Sequence, residues 1–290
     1  MSLNSQDRPQ TGEKALQWAV SFLREQGFAL EDARQEARLL LAKAWQKEGL
    51  QLLLEAKSNL PEDTWTQYTF FIRERGSFTP LHYLLGEKEF MSLSFRVSPE
   101  VLIPRWDTEV LVEEALRLLQ KRQKPKILDL GTGSGVIALS LAHYLPQTEV
   151  VAVDISPQAL ELARENAQSL GVEERVRFVE GDLFTPLAQE TGQFHLIASN
   201  PPYLSAEEMA DLPPDVQQEP ALALAGGEDG LDYYRAIALE AKDFLAPGGH
   251  LLVEIGYRQG KAVTEIFRES GLAPVRILSD LEGRERVVVY

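Results

Sequence analysis

The sequence predicts a small helical bundle followed by an α/β domain, whose largely parallel sheet is covered by helices on both faces. Two observations predict this fold class. Apolar residues recur at helical spacing through the first 86 residues, whereas short β-type runs alternate with helical runs from residue 126 onward. Because parallel strands need a crossover connection, usually a helix, the alternation favours a parallel sheet. With 290 residues, 44% of them hydrophobic, the chain is long enough to bury both cores.

The helical domain is predicted over residues 1–86. Its first helix begins at Glu13 and ends at Gly27, since glycine commonly terminates helices. Further helices are predicted at Glu31–Gln46, around Leu50–Ala56 and at Pro61–Arg75. This domain carries 10 basic and 11 acidic residues, net −1, whereas the remaining 204 residues carry 19 and 33, net −14. The two parts of the chain therefore differ electrostatically.

Residues 87–104 are predicted to connect the two domains. The segment Lys88–Val97 is rich in aromatic and β-type residues, which favours a rigid β-hairpin over a flexible linker. The α/β domain, residues 105–290, then begins with a helical run at Asp107–Lys121. Its remaining elements are predicted in this order: strand Lys126–Asp129, helix Gly135–Tyr144, strand Val150–Asp154, helix Pro157–Leu170, strands Val176–Glu180 and His195–Ser199, helix Leu231–Leu245, strand His250–Ile255, helix Lys261–Ser270, and terminal strands near Val275–Leu278 and Arg286–Tyr290.

Composition excludes several classes of protein. The chain has no cysteine, which rules out disulfides and thiolate metal sites, and its four histidines are scattered, so no metal site is predicted. A net charge of −15 is the opposite of the basic footprint of proteins that bind nucleic acid through its phosphates. No stretch approaches the roughly 18 apolar residues of a membrane span, and the N-terminus lacks a leader pattern. We therefore expect a cytoplasmic monomer without nucleic-acid or membrane partners.

A glycine-rich loop follows the first strand of the α/β domain and leads into an apolar helix. Its residues are Gly131, Thr132, Gly133, Ser134 and Gly135. Glycine permits positive φ and close approach of a ligand to the backbone, and the helix N-terminus offers free N–H groups. A dinucleotide fingerprint needs its third glycine one position later, at Val136, so nicotinamide or flavin binding is disfavoured. The alternative is a tight turn that needs glycine for packing alone.

Carboxylates end the next two strands. Asp154 lies 23 positions after Gly131, where a carboxylate in this topology reaches a ribose, and Asp182 closes the third strand, where an adenine edge would lie. Asp154 also precedes Ser156 and Pro157 in a helix-capping position, which is the structural alternative. Together with the glycine loop, the two carboxylates predict a nucleoside-type ligand.

The fourth strand ends in a tetrapeptide, Asn200, Pro201, Pro202 and Tyr203. Asn200 offers a side-chain carbonyl, and the prolines remove N–H groups and leave a neighbouring carbonyl free to accept from a substrate. Tyr203 supplies a flat face. A site of this kind recognises an NH2 group on a planar substrate. A simple Asn-Pro turn is the alternative.

These motifs resemble class I S-adenosylmethionine-dependent methyltransferases that act on an amino nitrogen. Further segments resemble the PrmC/HemK family: Ile103-Pro104-Arg105-x-Asp107-Thr108-Glu109, Glu219-Pro220, Gly226-Gly227-x-Asp229-Gly230-Leu231, the segment from Gly249 to Gly256, and Pro80-Leu81-x-Tyr83-Leu84-x-Gly86. The resemblance covers most of the chain. Trp106 is a departure, since the family usually has proline there.

The resemblance implies a seven-stranded, Rossmann-like methyltransferase sheet and a helical domain that docks the substrate. It implies methyl transfer from S-adenosylmethionine to N5 of the glutamine in the Gly-Gly-Gln motif of class-1 peptide chain release factors. The glycine loop, Asp154, Asp182 and Asn200 would contact the cofactor, with either Leu183 or Phe184 against adenine. The tetrapeptide Asn200–Tyr203 would bind the substrate amide and carry catalysis.

Two other functions remain open at this point. An N6-adenine DNA methyltransferase uses the same tetrapeptide on a flipped base, but the acidic charge disfavours it. An S-adenosylmethionine-binding adaptor would not need Asn200. The Pro104-Arg105 segment could contact the donor or the substrate loop, but pairing of Arg105 with Asp107 or Glu109 is at least as well supported, so Arg105 receives no role. Glu254, near the end of the fifth strand, could support the site from behind its ligand contacts, but a solvated side chain is preferred.

Overall fold

The computed structural model describes residues 9–47, 49–272 and 276–290. The chain divides into two compact units. A helical unit contains the residues up to Gly86 together with Pro214–Gln218, and a sheet unit contains Glu87–Pro213 and Glu219–Tyr290. The inclusion of residues 214–218 in the helical unit has no counterpart in the sequence pattern.

The helical unit is built around one apolar core. Its helices are α1 (Gly12–Glu25), α2 (Leu30–Trp45), α3 (Gly49–Glu55), α4 (Glu62–Gly76) and α5 (Leu81–Leu85). The Thr11 hydroxyl caps α1 by accepting from the Lys14 N–H. The buried Tyr68 hydroxyl donates to the Ala37 carbonyl at 2.9 Å, so the core between α2 and α4 buries no unpaired hydroxyl there.

The sheet unit begins with an antiparallel hairpin, β1 (Glu87–Phe90) and β2 (Leu93–Arg96). Met91 and Ser92 form its two-residue turn with φ of 50° and 56°, the backbone that matches the twist of a hairpin. Phe90 and Phe95 are buried, so the connection is packed as the aromatic composition predicts.

The rest of the sheet unit alternates strands and helices. Its strands are β3 (Lys126–Leu130), β4 (Glu149–Asp154), β5 (Val176–Glu180), β6 (Phe194–Ser199), β7 (Leu245–Glu254), β8 (Arg276–Ser279) and β9 (Glu285–Val289). Its helices are α6 (Glu109–Leu119), α7 (Val136–Tyr144), α8 (Pro157–Leu170), α9 (Ala206–Ala210), α10 (Asp232–Phe244) and α11 (Gly260–Glu269), and a 3₁₀ turn at Trp106–Thr108 precedes α6.

Within the described residues the main sheet has seven strands in the order β5-β4-β3-β6-β7-β9-β8. The first five are parallel, and β9 is antiparallel to both of its neighbours. Strand order reverses between β3 and β6, because β4 and β5 lie on one side and β7 on the other. Ligands of open α/β sheets bind at the carboxyl ends of the strands beside such a reversal. The loops after β3, β4, β5 and β6 converge there.

Two apolar layers cover the sheet. Ile127 belongs to the layer on one face, and Leu128 and Leu130 belong to the layer on the other, as the alternation of side chains along a strand requires. All three are fully buried. Each such side chain contributes roughly 1.5–3 kcal/mol of transfer free energy, so β3 is held firmly at the centre of the sheet.

The predicted fold class is confirmed, including the seven-stranded, largely parallel sheet. Strand β7 begins at Leu245 rather than at His250, and the short helices α5 and α9 were not predicted separately. Val275, the first residue of one predicted strand, lies outside the described residues. Among the helices of the described part of the chain, none is long and apolar enough to cross a membrane.

Candidate active site

The glycine loop joins β3 to α7 at the strand-order reversal. The N–H groups of Gly131 and Thr132 both donate to the Val153 carbonyl on β4, at 2.9 and 3.0 Å. This pairing ties the loop to the neighbouring strand. Gly131, Gly133 and Gly135 all have positive φ, of 70°, 56° and 88°. The backbone path of the loop therefore depends on glycine at each of these positions.

The three glycines differ in what surrounds them. A Cβ built on Gly131 or Gly133 meets no atom within 4 Å, so the backbone there borders open space. A Cβ on Gly135 would lie 2.8 Å from Leu139 Cδ1 and 3.3 Å from Ala163 Cβ. The first two glycines therefore expose backbone to a ligand, whereas the third also permits close helix packing.

Asp129 and Thr132 brace the loop from within. Asp129 is fully buried, and its Oδ2 accepts from the Thr132 hydroxyl at 2.6 Å and from the Ala138 N–H at 3.1 Å. Its Oδ1 has no hydrogen-bond partner within the part of the chain that the structure describes. Burial raises the pKa of Asp129 to about 7, against the opposing effect of the two hydrogen bonds. The loop is thus held by a carboxyl group that is poorly solvated.

Asp154 lies at the end of β4, directly beside the loop. Its Oδ2 accepts from the Gly133 N–H at 2.8 Å, and its Oδ1 accepts from the Ser156 N–H at 2.9 Å. Burial raises its pKa, while these backbone hydrogen bonds lower it. Ser156 caps α8 through the Ala159 N–H, so the capping function belongs to Ser156 rather than to Asp154.

A single cavity brings the predicted cofactor residues together. It contains about 990 Å³ of space not filled by atoms, including space open to solvent. Four residues of the glycine loop line it, and Gly135 does not. The other predicted site residues that line it are Asp154, Asp182, Leu183, Asn200 and Pro202. Most of the residues that the sequence predicts to bind the cofactor therefore border one shared space.

Phe184 lies elsewhere. It is 1% exposed and stacks on Phe244 with ring centroids 4.7 Å apart, within the apolar layer of one sheet face. Leu183, with φ of 46°, lines the cavity instead. The structure thus corrects the assignment of Phe184 to the cofactor site, because one residue of a strand-end turn faces the cavity and the next faces the core.

The tetrapeptide that follows β6 reaches the same cavity through Asn200 and Pro202. Asn200 Nδ2 donates to the Thr108 hydroxyl at 3.2 Å. Among the described residues, no donor reaches Asn200 Oδ1 and none reaches the Pro201 carbonyl. Two acceptors of this loop therefore remain free.

Tyr203 is packed rather than free in the cavity. Burial, followed by the nearby Glu254 charge, raises the pKa of its hydroxyl above its ordinary value. A Cβ on Gly226 would lie 2.7 Å from Tyr203 Cα, and one on Gly230 would overlap the Tyr203 carbonyl oxygen. The glycine-rich segment after the tetrapeptide therefore lies directly against the Tyr203 backbone.

Gln259 connects these segments. Its Nε2 donates to the Tyr203 carbonyl at 2.9 Å and to the Gly230 carbonyl at 3.2 Å, and its Oε1 accepts from the Gly256 N–H at 2.9 Å. The Tyr234 hydroxyl lies 3.4 Å from the same oxygen. One side-chain amide thus ties three backbone segments together.

Residues 103–105, which lie before α6, are held in place by Glu219, an acidic residue distant in the sequence. Arg105 Nη2 contacts Glu219 Oε1 at 2.5 Å, and Glu219 Oε2 accepts from the Ile103 N–H at 3.0 Å. The expected pairing of Arg105 with Asp107 or Glu109 is wrong, since Asp107 pairs with Arg286 at 2.8 Å. Sequence spacing could not reveal a partner 114 positions away.

Three other residues were not assigned correctly from sequence. Glu254 is 1% exposed, not solvated, because it ends a strand whose carboxyl end is covered. Tyr233 on α10 lines the cavity, and burial, followed by the charges of Asp182 and Asp154, raises the pKa of its hydroxyl. Asn166 on α8 donates from Nδ2 to the Ser134 carbonyl at 2.9 Å, which supports the glycine loop.

Trp106, the residue that departs from the family pattern, is 56% exposed, and Lys88 Nζ lies 4.6 Å from its ring centroid.

Known families match both parts of the chain. A model of the PrmC N-terminal domain matches residues 14–86, and a model of the methyltransferase small domain matches residues 108–213. Together with the sheet topology and the cavity, the second match defines a class I S-adenosylmethionine-dependent methyltransferase.

Proteins of similar sequence identify the family within this class of methyltransferases. The chain is 45% identical to the release factor glutamine methyltransferase of Moorella thermoacetica, over 89% of this chain and 90% of that one. It is 42% identical to the protein of the same name from Geobacter sulfurreducens, over 96% and 95%. The chain belongs to the release factor glutamine methyltransferase family, and the predicted family is confirmed.

Solved structures agree on the fold. The catalytic domain of hMettl16, solved with an RNA hairpin, aligns with a TM-score of 0.58 at 16% identity, covering 74% of this chain and 82% of that one. A methyltransferase from Pyrococcus furiosus aligns with a TM-score of 0.51 at 20% identity, covering 70% and 90%. At these identities the likeness concerns the fold alone.

Proposed function

We propose that this protein transfers a methyl group from S-adenosylmethionine to N5 of the glutamine in the Gly-Gly-Gln motif of class-1 peptide chain release factors. One observation carries the proposal. Asn200 Oδ1 and the Pro201 carbonyl are free acceptors on a loop that shares a cavity with the glycine loop and Asp154. Membership of the release factor glutamine methyltransferase family supports the substrate.

The cavity fits the methyl donor. Open space over Gly131 and Gly133 lets a ligand approach their backbone, and Asp154 offers a carboxylate to the two hydroxyls of a ribose. Asp182 would accept from the exocyclic amine of adenine, and Leu183 would pack on the ring. Thr132 and Ser134 complete the loop on the cavity wall. When bound, S-adenosylmethionine supplies an electrophilic methyl group on positively charged sulfur.

The tetrapeptide Asn200–Tyr203, called the acceptor loop from here on, supplies the two hydrogen-bond acceptors that can position an amide nitrogen. An amide is a weak nucleophile, because its nitrogen lone pair is delocalised into the carbonyl. Asn200 Oδ1 and the Pro201 carbonyl accept its two hydrogens and hold the nitrogen towards the methyl group. Pro202 lines the cavity wall. We propose that the ring of the neighbouring Tyr203 would lie beside the planar amide when the substrate is bound. A protein nucleophile is not required.

The environment favours the transfer electrostatically. The transfer would form the nitrogen–methyl bond as the sulfur–methyl bond breaks, leaving S-adenosylhomocysteine and releasing one amide hydrogen as a proton to solvent. The largely apolar walls of the cavity would favour the spread positive charge of such a step over the concentrated charge of the donor. Rate enhancement therefore derives from positioning and exclusion of water.

The acidic sheet unit distinguishes this function from methylation of DNA. Residues 87–290 carry 19 basic and 33 acidic residues, a surface that repels phosphates. We propose that this charge steers the enzyme towards a basic, RNA-binding face of the release factor. We further propose that the helical unit docks the release factor and that the enzyme acts as a monomer.

Mass spectrometry tests the function. Purified release factor and DNA are incubated separately with the protein and S-adenosylmethionine, and an Asn200→Ala variant is run in parallel. The expected result is one added methyl mass on the Gly-Gly-Gln glutamine, lost in the variant. Methylation of DNA adenine alone would refute the proposal, and binding of the donor without any methyl transfer would favour an adaptor.

A further inference from the structure

Asn166 lies on α8, outside the motifs that define the site, yet its side chain contacts two other segments of the sheet unit. Its Oδ1 accepts from the Arg96 N–H at 2.7 Å, and its Nδ2 donates to the Arg96 carbonyl at 3.1 Å and to the Ser134 carbonyl at 2.9 Å. The residue is 1% exposed, so water does not compete for these contacts. A single buried amide therefore joins the hairpin that opens the sheet unit to the glycine loop.

The contacts with Arg96 resemble those of a neighbouring strand. Arg96 ends β2, and both of its backbone polar groups bond to Asn166, in the same pair of donor and acceptor that a facing residue supplies in an antiparallel sheet. The orientation of the amide is fixed, because a rotated amide would place its NH2 against the Arg96 N–H and its oxygen against two carbonyls. The oxygen and both hydrogens of the side chain are thus used within the protein.

The Ser134 carbonyl lies outside the hydrogen-bond pattern of α7. The Leu139 N–H donates to the Gly135 carbonyl, whereas the N–H of the preceding residue, Ala138, donates to the Asp129 carboxyl group. The Ser134 carbonyl therefore receives its hydrogen bond from Asn166 rather than from the helix. Contacts with β4 hold the beginning of the glycine loop, and Asn166 holds its end.

The two segments that Asn166 joins both lead to the cavity. Ser134 lines the cavity together with the preceding residues of the glycine loop. Four positions after Arg96 begins the stretch 100–105, of which every residue except Ile103 lines the cavity. Asn166 itself does not line the cavity, so it acts on a bound ligand only through these two segments.

The connection between Arg96 and the stretch 100–105 is short and packed. Val97 is buried, and the Val101 N–H donates to the Ser98 carbonyl at 3.1 Å, which closes a tight turn. A displacement of Arg96 is therefore transmitted to this wall of the cavity, and the bond to Ser134 fixes the wall relative to the glycine loop.

We infer that Asn166 is a positioning residue for the methyl donor, which holds the glycine loop and the stretch 100–105 at a fixed separation before the donor binds. This inference rests on the proposed function, because it takes S-adenosylmethionine as the ligand of the cavity. A ligand that must select a minor conformation binds more weakly, in proportion to the population of that conformation. Loss of Asn166 therefore weakens donor binding, whereas methyl transfer from the bound donor proceeds nearly unchanged.

Two variants and two controls separate this role from simple stabilisation. Asn166→Leu keeps the approximate volume and removes all three hydrogen bonds, whereas Asn166→Asp keeps the acceptor for the Arg96 N–H and removes both donated hydrogens. The control Glu165→Gln removes an exposed ion pair with the Arg96 side chain, at 2.8 Å, between the same two elements. The control Thr148→Val removes a buried hydrogen bond to the Pro125 carbonyl, before the start of β3 and β4 and so at the end of these strands remote from the cavity.

Calorimetry with S-adenosylmethionine and with S-adenosylhomocysteine gives the Kd, and steady-state methylation of release factor gives kcat and the donor KM. We expect both Asn166 variants to raise the donor Kd and KM about tenfold, which corresponds to a binding-competent fraction of about one tenth, with kcat at saturating donor within about threefold of wild type. Both controls should keep the donor Kd within about twofold. Without donor, hydrogen–deuterium exchange of residues 96–101 and 131–135 should be faster in the Asn166 variants than in Thr148→Val.

Melting temperatures show that each variant is folded. A folded Asn166 variant with the wild-type donor Kd, a loss confined to kcat, or an equal rise of Kd in Thr148→Val would overturn the inference, and so would failure of both Asn166 variants to fold, which indicates a purely structural role. A wild-type enzyme that binds the donor without methylating release factor would overturn the proposed function alone. A wild-type enzyme that does not bind S-adenosylmethionine would overturn both.

Discussion

Gln259 offers a direct test of how the acceptor loop is held. Its Nε2 donates to the carbonyls of Tyr203 and Gly230, at 2.9 and 3.2 Å. The variant Gln259→Glu replaces this donor with an oxygen, which faces two carbonyl oxygens. The acceptor from the Gly256 N–H is kept, so only one side of the contact changes.

The magnitude follows from the contacts. Two hydrogen bonds of about 1 kcal/mol each are lost, and a partly buried carboxylate then opposes two carbonyls, so we expect a total loss of about 3 kcal/mol in the free energy of unfolding. The control Gln259→Met adds no charge but also loses the acceptor of the Gly256 N–H, so three hydrogen bonds are lost and about 3 kcal/mol is expected. The electrostatic part is therefore measured by the pH dependence of Gln259→Glu relative to that of Gln259→Met.

Equilibrium urea unfolding at pH 5 and pH 8 is the assay. The introduced carboxyl group has its pKa raised by burial and by the facing carbonyls, so the folded state retains its proton to higher pH than the unfolded state. Gln259→Glu should therefore lose stability as pH rises from 5 to 8, relative to Gln259→Met. The reasoning fails if Gln259→Glu is as stable as wild type at pH 8, or if its deficit is greater at pH 5.

Further predictions concern the binding of S-adenosylmethionine, the titration of Glu254 and the rate of association with the release factor. Gly133→Ala should weaken S-adenosylmethionine binding at least tenfold by calorimetry, whereas Gly171→Ala, which has a similar φ of 65° and open space but caps α8, should cost about the same 1 kcal/mol of stability and leave binding unchanged. Burial raises the pKa of Glu254 from 4.5 to about 7. The folded state therefore holds this proton to higher pH than the unfolded state, so the free energy of unfolding should fall as pH rises from 4.5 to about 7, and an equal fall in Glu254→Gln by urea unfolding would contradict this. The charged and titratable groups around this carboxyl group are Asp107, Arg286, Arg105, Tyr203 and Tyr234. Because the sheet unit is acidic, added salt should lower kcat/KM for release factor, and stopped-flow association rates independent of salt would exclude steering.

Local pattern was sufficient for most of the fold. Helix α8 and strand β5 match their predicted limits, because Ser156 and Pro157 mark a helix start and Val176–Glu180 is bounded by turn residues. The glycine loop and the tetrapeptide were found because each follows a strand in a context that gives the motif meaning.

Long-range partners could not be found in this way. Glu219 joins Arg105 across 114 positions, and nothing in the spacing of either residue indicates it. Burial was equally hidden for Glu254, since a charged residue at a strand end looks solvated until the layers above the sheet are known. The change of direction between Leu183 and Phe184 depends on a positive φ at a residue other than glycine, which local propensity does not predict.

Two anchors described above delimit a stretch of chain. The Tyr203 carbonyl is held by Gln259, and Glu219 is held by Arg105 and the Ile103 N–H, so residues 204–218 leave and return at fixed points. The entropy of closing such a loop grows only slowly with its length. Insertions between α9 and residue 214 should therefore change the acceptor geometry little, because both ends of the stretch are held by residues outside it.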